Sequence, residues 1–370
     1  MSSRRVLHVI DHLVPASGVA SVVMLLVKGI RDFIQDVAIY GECDSLMKQE
    51  VIECGGRVYK LPDVTQQFGT PFAKSFSALL EDASYDVIHG HLLNSAFIYL
   101  RIAKRLNVLG RIIHIHSALG ADTLIKRIRN KVLSKGVNRL ASCKIAVSAE
   151  AARYAFGKDY ADVHIMGNGV DTSRFKYNLE VRQQVRKELE IAEDVLCVGN
   201  VARFVKLKNH IVLLDVFKEM RLRTNSILVL VGEGVLEKKI KALVQAAGLS
   251  DYVRFLGTRH DVDRLYQAFD IFLLPSLSEG FGLAAAEAQC AGLGCVVSEH
   301  VPVTVKCSDR VRFLPLDDSK VWADTAISLA QQIRHDGSAN VQMAGLGTET
   351  TCNEILCLYQ SLSEANNVRH

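Results

Sequence analysis

Ten short runs rich in β-branched residues alternate with stretches of helical apolar spacing along most of the chain, and this alternation constrains the fold more than any other feature. The runs occupy 6–10, 37–40, 87–89, 112–115, 144–147, 196–201, 227–231, 253–256, 271–274 and 295–297. Strands that alternate with helices make an α/β chain with mainly parallel strands. A turn-rich crossover at 165–178, carrying Gly167, Asn168, Gly169 and Asp171, separates two series of five runs. The total of 370 residues suits two domains of roughly 150 to 200 each. We therefore expect a first domain over 1–168, a second over 169–346, and a terminal helix and tail over 347–370. In that last segment Ile355, Leu358, Tyr359 and Leu362 recur at helical spacing, which predicts an amphipathic helix that crosses back onto a domain surface. Open α/β sheets bind ligands at the carboxyl ends of their strands, so two facing sheets predict a cleft between them.

Composition narrows the class. With 49% hydrophobic and 23% charged residues and only 6 Pro beside 25 Gly, the chain has enough apolar surface for sizeable cores and is not disordered. The nine cysteines contain no Cys-x-x-Cys pair, which excludes a zinc ribbon and points to reduced thiols in the cytosol. Arg4 and Arg5 precede an apolar run that Asp11 and His12 interrupt, too soon for a signal-peptide core. The longest apolar stretch, 18–27, stops at Lys28, far short of the roughly 20 residues of a membrane span. The net charge of +4 is too weak, averaged over the chain, to imply nucleic acid.

Its distribution says more. Residues 101–144 hold eleven Lys and Arg against one acid, Asp122, so this segment is +10 and the remainder is −6. Within it Leu124, Ile125, Ile128, Val132, Leu133, Val137 and Leu140 recur at helical spacing, with Lys126, Arg127, Arg129, Lys131, Lys135 and Arg139 between them. A basic amphipathic helix around 122–140 binds an anionic membrane surface, or packs on a core with a basic outer face.

The chemistry concentrates after the strands of the second half. Directly behind run 271–274 comes Pro275-Ser-Leu-Ser-Glu279-Gly280-Phe281-Gly282-Leu283-Ala-Ala-Ala-Glu287, which reads as strand, glycine loop and helix. Gly280 and Gly282 let backbone approach a ligand, and a helix start near Gly282 offers free N–H groups and a dipole suited to a diphosphate. Glu279 and Glu287 are eight residues apart and better placed for hydroxyls at two ends of one extended ligand than for paired acid catalysis. Arg203 and Lys208 lie behind run 196–201, where two cations neutralise phosphate oxygens, the Arg as a fork and the Lys as a point charge. Gly232-Glu233-Gly234 follows run 227–231 as another turn where backbone can meet a nucleotide.

Taken in order, Arg203 and Lys208, Val231-Gly-Glu-Gly234, Phe255-Leu-Gly257, Ala268-Phe-Asp-Ile-Phe-Leu-Leu-Pro-Ser276 and the pair Glu279 and Glu287 resemble the signature of the family 4 retaining glycosyltransferases. The run Glu287 to Ser298, followed by Lys306 to Leu314, is similar to bacterial capsule and exopolysaccharide enzymes of that family. The resemblance implies the GT-B fold, two Rossmann-like open parallel-sheet domains. It implies transfer of a sugar from a nucleotide-diphosphate sugar, a UDP-sugar, to a lipid-linked glycan in surface polysaccharide assembly (capsule, exopolysaccharide or O-antigen), without metal or other cofactor, at the inner face of the cytoplasmic membrane.

By resemblance, Arg203 and Lys208 hold the donor diphosphate, Glu279 meets the donor sugar and Glu287 the ribose. Phe281, Gly282 and Leu283 match the loop whose amides approach sugar and phosphate, Gly232 belongs to the donor-binding set, and 258–262 lines the nucleobase. Ser17 replaces the first of two usual glycines in the loop after the first strand, which leaves Gly18 to approach the phosphate. His116 matches the family histidine beside the reacting sugar; His114 and His116 alternate with Ile113 and Ile115 and so share one strand face, which also fits satisfied core polar residues. His89 and His91, at another strand end, are candidates for the acceptor. Asp261-Val262-Asp263 has the spacing of a metal pair, yet it opens a helix, so Asp261 reads as an N-cap. Two other classes share the donor cleft: a sugar-nucleotide epimerase, and a non-catalytic nucleotide-sugar-binding subunit of a heteromeric transferase.

Overall fold

The computed structural model describes residues 4–117, 135–157 and 160–367. The chain divides into two compact units, Met1–Gly169 with Thr348–His370, and Val170–Gly347. Each is an open, wholly parallel sheet among its described strands, flanked by helices, the architecture expected from alternating runs.

The first sheet holds β1 (Arg5–Ile10), β2 (Ile34–Ile39), β3 (Val58–Lys60), β4 (Val87–Gly90), β5 (Gly110–Ile115), β6 (Cys143–Ala146) and β7 (His164–Ile165), in the order β3-β2-β1-β4-β5-β6-β7. The chain runs outward from β1 to β3 and then restarts beside β1 with β4, so the order reverses between β1 and β4. The second sheet holds β8 (Leu196–Val201), β9 (Ser226–Val231), β10 (Val253–Phe255), β11 (Ile271–Leu274), β12 (Gly294–Ser298) and β13 (Val311–Leu314), in the order β10-β9-β8-β11-β12-β13, with its reversal between β8 and β11. Loops diverge at such a reversal, and ligands of open α/β sheets sit in the space left at the strands' carboxyl ends.

All ten expected runs are strands. Three further strands, β3, β7 and β13, lie at sheet edges, and apart from the buried Val311 their residues are half-exposed or exposed and leave no unbroken apolar run to read. β2 begins three residues ahead of the expected run because Gln35 and Asp36 are buried in it despite their polarity.

Burial explains why the strands stay put. In the second unit Val198, Leu228, Leu230, Leu273 and Val296 pack against Phe217 and Trp322 from flanking helices. In the first, Val6, Val87, Ile112 and Ile145 pack with Val22 and Leu26 and with Cys352, Ile355 and Tyr359. The last three come from the terminal helix Thr348–Asn367, which therefore belongs to the first unit although the second unit precedes it in sequence. Full burial of a side chain such as Ile355 stabilises by about 1.5–3 kcal/mol, so this helix is held by its apolar face. The basic helix expected around 122–140 falls mostly outside the described residues; 135–140 is helical. Among the described residues no helix is long and apolar enough to cross a membrane.

Candidate active site

Both reversals carry chemistry, of opposite kinds. In the second unit β8 runs into the loop of Arg203 and Lys208. That loop closes on itself through Val205 N–H to Arg203 O and Lys208 N–H to Val205 O, and Asn209 takes a left-handed φ of 52° before the helix His210–Arg221 starts. Across the reversal, β11 runs into the loop of Ser276 and Glu279. The two loops are tied by Leu277 N–H to Leu207 O at 2.7 Å. Lys208 Nζ donates to Glu279 Oε1 at 2.6 Å, and Ser276 Oγ donates to the same oxygen at 2.6 Å. The Lys208 and Glu279 side chains retain 23% and 10% exposure, so the pair is reachable from solvent. Arg203 is exposed and has no ion-pair or hydrogen-bond partner for its side chain among the described residues. Lys208 and Glu279 thus meet where the sheet leaves a space, with Arg203 exposed in the same loop as Lys208.

The glycine loop follows. Gly282 takes φ +94° and precedes the helix Leu283–Cys290, whose first N–H groups are unmatched by a side-chain cap. Ala285 and Ala286 N–H return to Gly282 O. Phe281 is a core side chain, so its backbone is the part available to a ligand, while Leu283 is half-buried. Glu287 lies inside the helix, and its Oε2 accepts from the Tyr266 hydroxyl at 3.0 Å. Burial pushes the Glu287 carboxyl up to about 7, against the opposing pull of that hydroxyl bond.

One glycine pair gains a second reason here, and one expectation, the Asp261 cap, changes. At Gly232, where φ is +128°, an added Cβ would fall 2.3 Å from the Ala202 carbonyl oxygen, and at Gly234 2.6 Å from that of Phe204. The crossing of the chain on itself therefore requires glycine at both positions, whether or not a nucleotide also approaches there. Asp261 stands at the N-cap position of the helix Val262–Ala268, but its side chain makes no cap bond. Its carboxylate instead takes Arg259 at two 2.8 Å contacts and Arg264 at 3.2 Å, while Asp263 Oδ1 takes Arg174 at 2.7 and 2.9 Å. The residues expected at the nucleobase are anchored by Thr258 N–H to Glu233 Oε1 at 3.1 Å.

In the first unit the reversal holds histidines. His8 of β1, His89 and His91 at the end of β4, and His114 and His116 at the end of β5 form one patch, with His114 and His116 rings 4.0 Å apart. His116 is half-buried; the other four are buried. A hydrogen-bonded row runs from Gln35 Oε1 to His8 Nε2 at 2.9 Å, from His8 Nδ1 to His91 Nε2 at 3.0 Å, from His91 Nδ1 to His116 Nε2 at 2.9 Å, and from His116 Nδ1 to Asn168 Oδ1 at 3.2 Å. Beside it His89 Nδ1 meets the Tyr359 hydroxyl at 2.7 Å. Burial lowers every one of these imidazoles, His8 and His116 to about 4 and His89, His91 and His114 well below the ordinary value, so the patch is neutral near pH 7. Gly18 opens the helix Gly18–Gly29 behind β1; Ser17 caps that helix through Ala20 N–H, and an added Cβ at Gly18 would meet nothing within 4 Å.

The candidates therefore fall into two groups, Gly18 and His116 held by the first unit, the rest by the second. Reading the sequence missed Ser276, Tyr266, Asn168, Gln35 and His8. Each acts through a contact with a residue distant in sequence, apart from Ser276, whose signal was its position two residues past the end of β11, just after Pro275.

Two open parallel sheets, each with a strand-order reversal carrying polar side chains, define the class of two-domain Rossmann-like folds. A model of Glycosyltransferase Family 4 matches residues 16–174 and one of Glycosyl transferases group 1 matches residues 181–309. The chain belongs to the family 4 glycosyltransferases, and its fold is GT-B. It is 28% identical to the putative glycosyltransferase EpsF of Bacillus subtilis, over 100% of this chain and 99% of the relative. It is 29% identical, over 60% of each chain, to the UDP-Gal:alpha-D-GlcNAc-diphosphoundecaprenol alpha-1,3-galactosyltransferase of Escherichia coli. The crystal structure of Anabaena HepE in complex with UDP and glucose is similar at a TM-score of 0.80 and 19% identity, covering 97% of this chain and 100% of that one.

Proposed function

We propose that the protein is a retaining glycosyltransferase that moves a hexose from a UDP-sugar to a lipid-linked glycan in bacterial surface polysaccharide biosynthesis. The observation that carries this reading is the cluster of Lys208, Glu279 and Ser276 at the β8/β11 reversal with an unpartnered Arg203 beside it. A diphosphate takes the Arg203 fork and competes with Glu279 for Lys208; the released carboxylate of Glu279 is then free to accept from sugar hydroxyls. The helix start at Gly282 adds N–H groups and a dipole to the phosphates, and Glu287 accepts from the ribose. Catalysis is electrostatic: the two cations and the helix start stabilise the leaving diphosphate as its charge develops. The acceptor hydroxyl attacks from the face the diphosphate leaves, so no protein nucleophile is needed, and His116 holds the reacting sugar as a neutral donor or acceptor.

The transfer step runs without a metal, a reading supported by the arginines that occupy both Asp261 and Asp263. The acceptor assignment is supported by the diphosphoundecaprenol named for the Escherichia coli relative and by the +10 segment 101–144, which would draw the enzyme to the anionic inner face of the cytoplasmic membrane. The test incubates the full chain with UDP-, GDP- and ADP-sugars, with and without a polyprenyl-diphosphate-linked sugar. The expected result is a retained-anomer glycolipid formed from a UDP-sugar in the presence of chelator. Turnover of the sugar nucleotide without acceptor to an epimer, or no product from any donor, contradicts the proposal.

A further inference from the structure

The histidine row of the first unit contains a mismatch in protons. Both of its ends are acceptor oxygens. At one end Gln35 Nε2 donates to Leu26 O at 2.8 Å and Ile30 O at 2.9 Å, which fixes the amide and turns Oε1 toward His8. At the other end His116 Nδ1 faces Asn168 Oδ1. Between the two oxygens lie three imidazoles and four contacts. Each contact needs one proton, and three neutral rings carry three.

One joint is therefore short of a proton. With the end oxygens satisfied, His8 protonates Nε2 and His116 protonates Nδ1, and the gap falls at an inner joint, where two ring lone pairs face each other. With the His91 proton on Nε2 toward His8, the gap falls at the outer of these two joints, where His91 Nδ1 and His116 Nε2 are 2.9 Å apart. A third ring stands next to that joint: His114 is 2% exposed, and neither of its nitrogens has a hydrogen-bond partner among the described residues. Ring nitrogens of His91, His114 and His116 all lie within 4.8 Å of one another. A buried imidazole without any partner is costly, and a cation bound by its lone pair removes that cost.

We propose that His91, His114 and His116 bind one transition-metal ion of the class that prefers imidazole, such as Zn2+ or Co2+. Two nitrogens on one tetrahedral ion at about 2.0–2.1 Å lie about 3.3–3.4 Å apart, so the outer joint opens by only about half an ångström. Three histidines leave the fourth position to water or an anion. The side facing His116, the half-buried member, gives the ion a way in. Because the trio offers no carboxylate, Mg2+, Mn2+ and Ca2+ are not held. His8, through Gln35, and Asn168 orient the two inner ligands by holding their other nitrogens, the role outer partners play around metal-bound histidines. With Nδ1 on Asn168 and Nε2 on the ion, His116 has no nitrogen left for a sugar, so the ion-bound form is not the transferring one, and the inference does not rest on the proposed function.

The test titrates the chelator-treated full chain with Co2+ and follows the visible ligand-field bands, with metal content measured after desalting. One Co2+ per chain is expected, with tetrahedral bands, no near-ultraviolet band of a cobalt–thiolate bond, displacement by Zn2+ and none by Mg2+. His114→Ala should weaken binding at least tenfold, since loss of an outer partner alone costs about 10- to 100-fold. Should that variant not fold, His116→Gln, at the half-buried end, is held to the same loss. No stoichiometric uptake by the wild type overturns the proposal and means that Asn168 turns its amide to donate to His116. Uptake with a thiolate band, or with unchanged affinity in the variants, also overturns it.

Discussion

The two sheets put opposite electrostatics at the same topological position. At the β8/β11 reversal the second unit gathers charged groups that stay partly exposed, with Lys208 paired to Glu279 and Arg203 free. At the β1/β4 reversal the first unit gathers five neutral imidazoles, four of them buried. The difference follows from what surrounds the strand ends. Loops with glycines and lysine leave the second site wet, so charges are stable there. The first site is covered by Tyr359 of the terminal helix and by Gln35 and Asn168, so burial drives its titratable groups to neutrality. A charged, solvent-reachable site suits a diphosphate; a neutral, ordered one suits hydroxyls and soft ligands.

The sharpest break of this contrast is at Lys208. Lys208→Ala should lower transfer by about 100- to 1000-fold, the loss typical of one donor to a developing charge, as measured by product formation at saturating donor. Rates within about threefold of wild type would remove the second unit's claim to the phosphate. In the first unit, His116→Ala should lower kcat by roughly 10- to 100-fold, the worth of a hydrogen bond to a polarised group, and an unchanged kcat would leave the row without a catalytic role. Since His116 sits at about 4, its protonation should impose no change between pH 6 and 9. Glu287 behaves otherwise. Its carboxyl is raised to about 7, so the ionised, stronger acceptor appears only as pH rises through that value. Donor affinity should therefore improve about fivefold between pH 6 and 8, and Glu287→Gln should flatten the profile. A flat profile in the wild type sinks the ribose assignment. The smallest effect is expected at Ser276→Ala, which removes one of the two donors to Glu279 and should cost a few-fold in activity.

The same contrast governs what was legible beforehand. The second site could be read because each of its parts is local: a strand, a glycine loop and a helix within 271–290, and two cations within eight residues of the end of a strand. Even there, the crossing of their own chain accounts for Gly232 and Gly234 as well as a ligand does, because close approach leaves the same glycine signature whatever the partner. The first site was legible only as His116 and its neighbours. His8, Gln35 and Asn168 come from 8, 35 and 168, and nothing in the local pattern around Gln35 announces a buried amide whose orientation three imidazoles inherit. Edge strands escaped for a related reason, since half-exposed backbones such as Val58–Lys60 are specified by their neighbour in the sheet rather than by their own composition.

The division of labour between the units is tested most directly by calorimetric titration of UDP into the full chain, wild type, Arg203→Ala/Lys208→Ala and His116→Ala, in the presence of chelator. Two charge-assisted phosphate contacts at about 1.5–3 kcal/mol each predict at least a hundredfold loss of UDP affinity in the double variant, and no change beyond about twofold for His116→Ala. Retained affinity in the double variant, or a large loss in His116→Ala alone, would contradict the account.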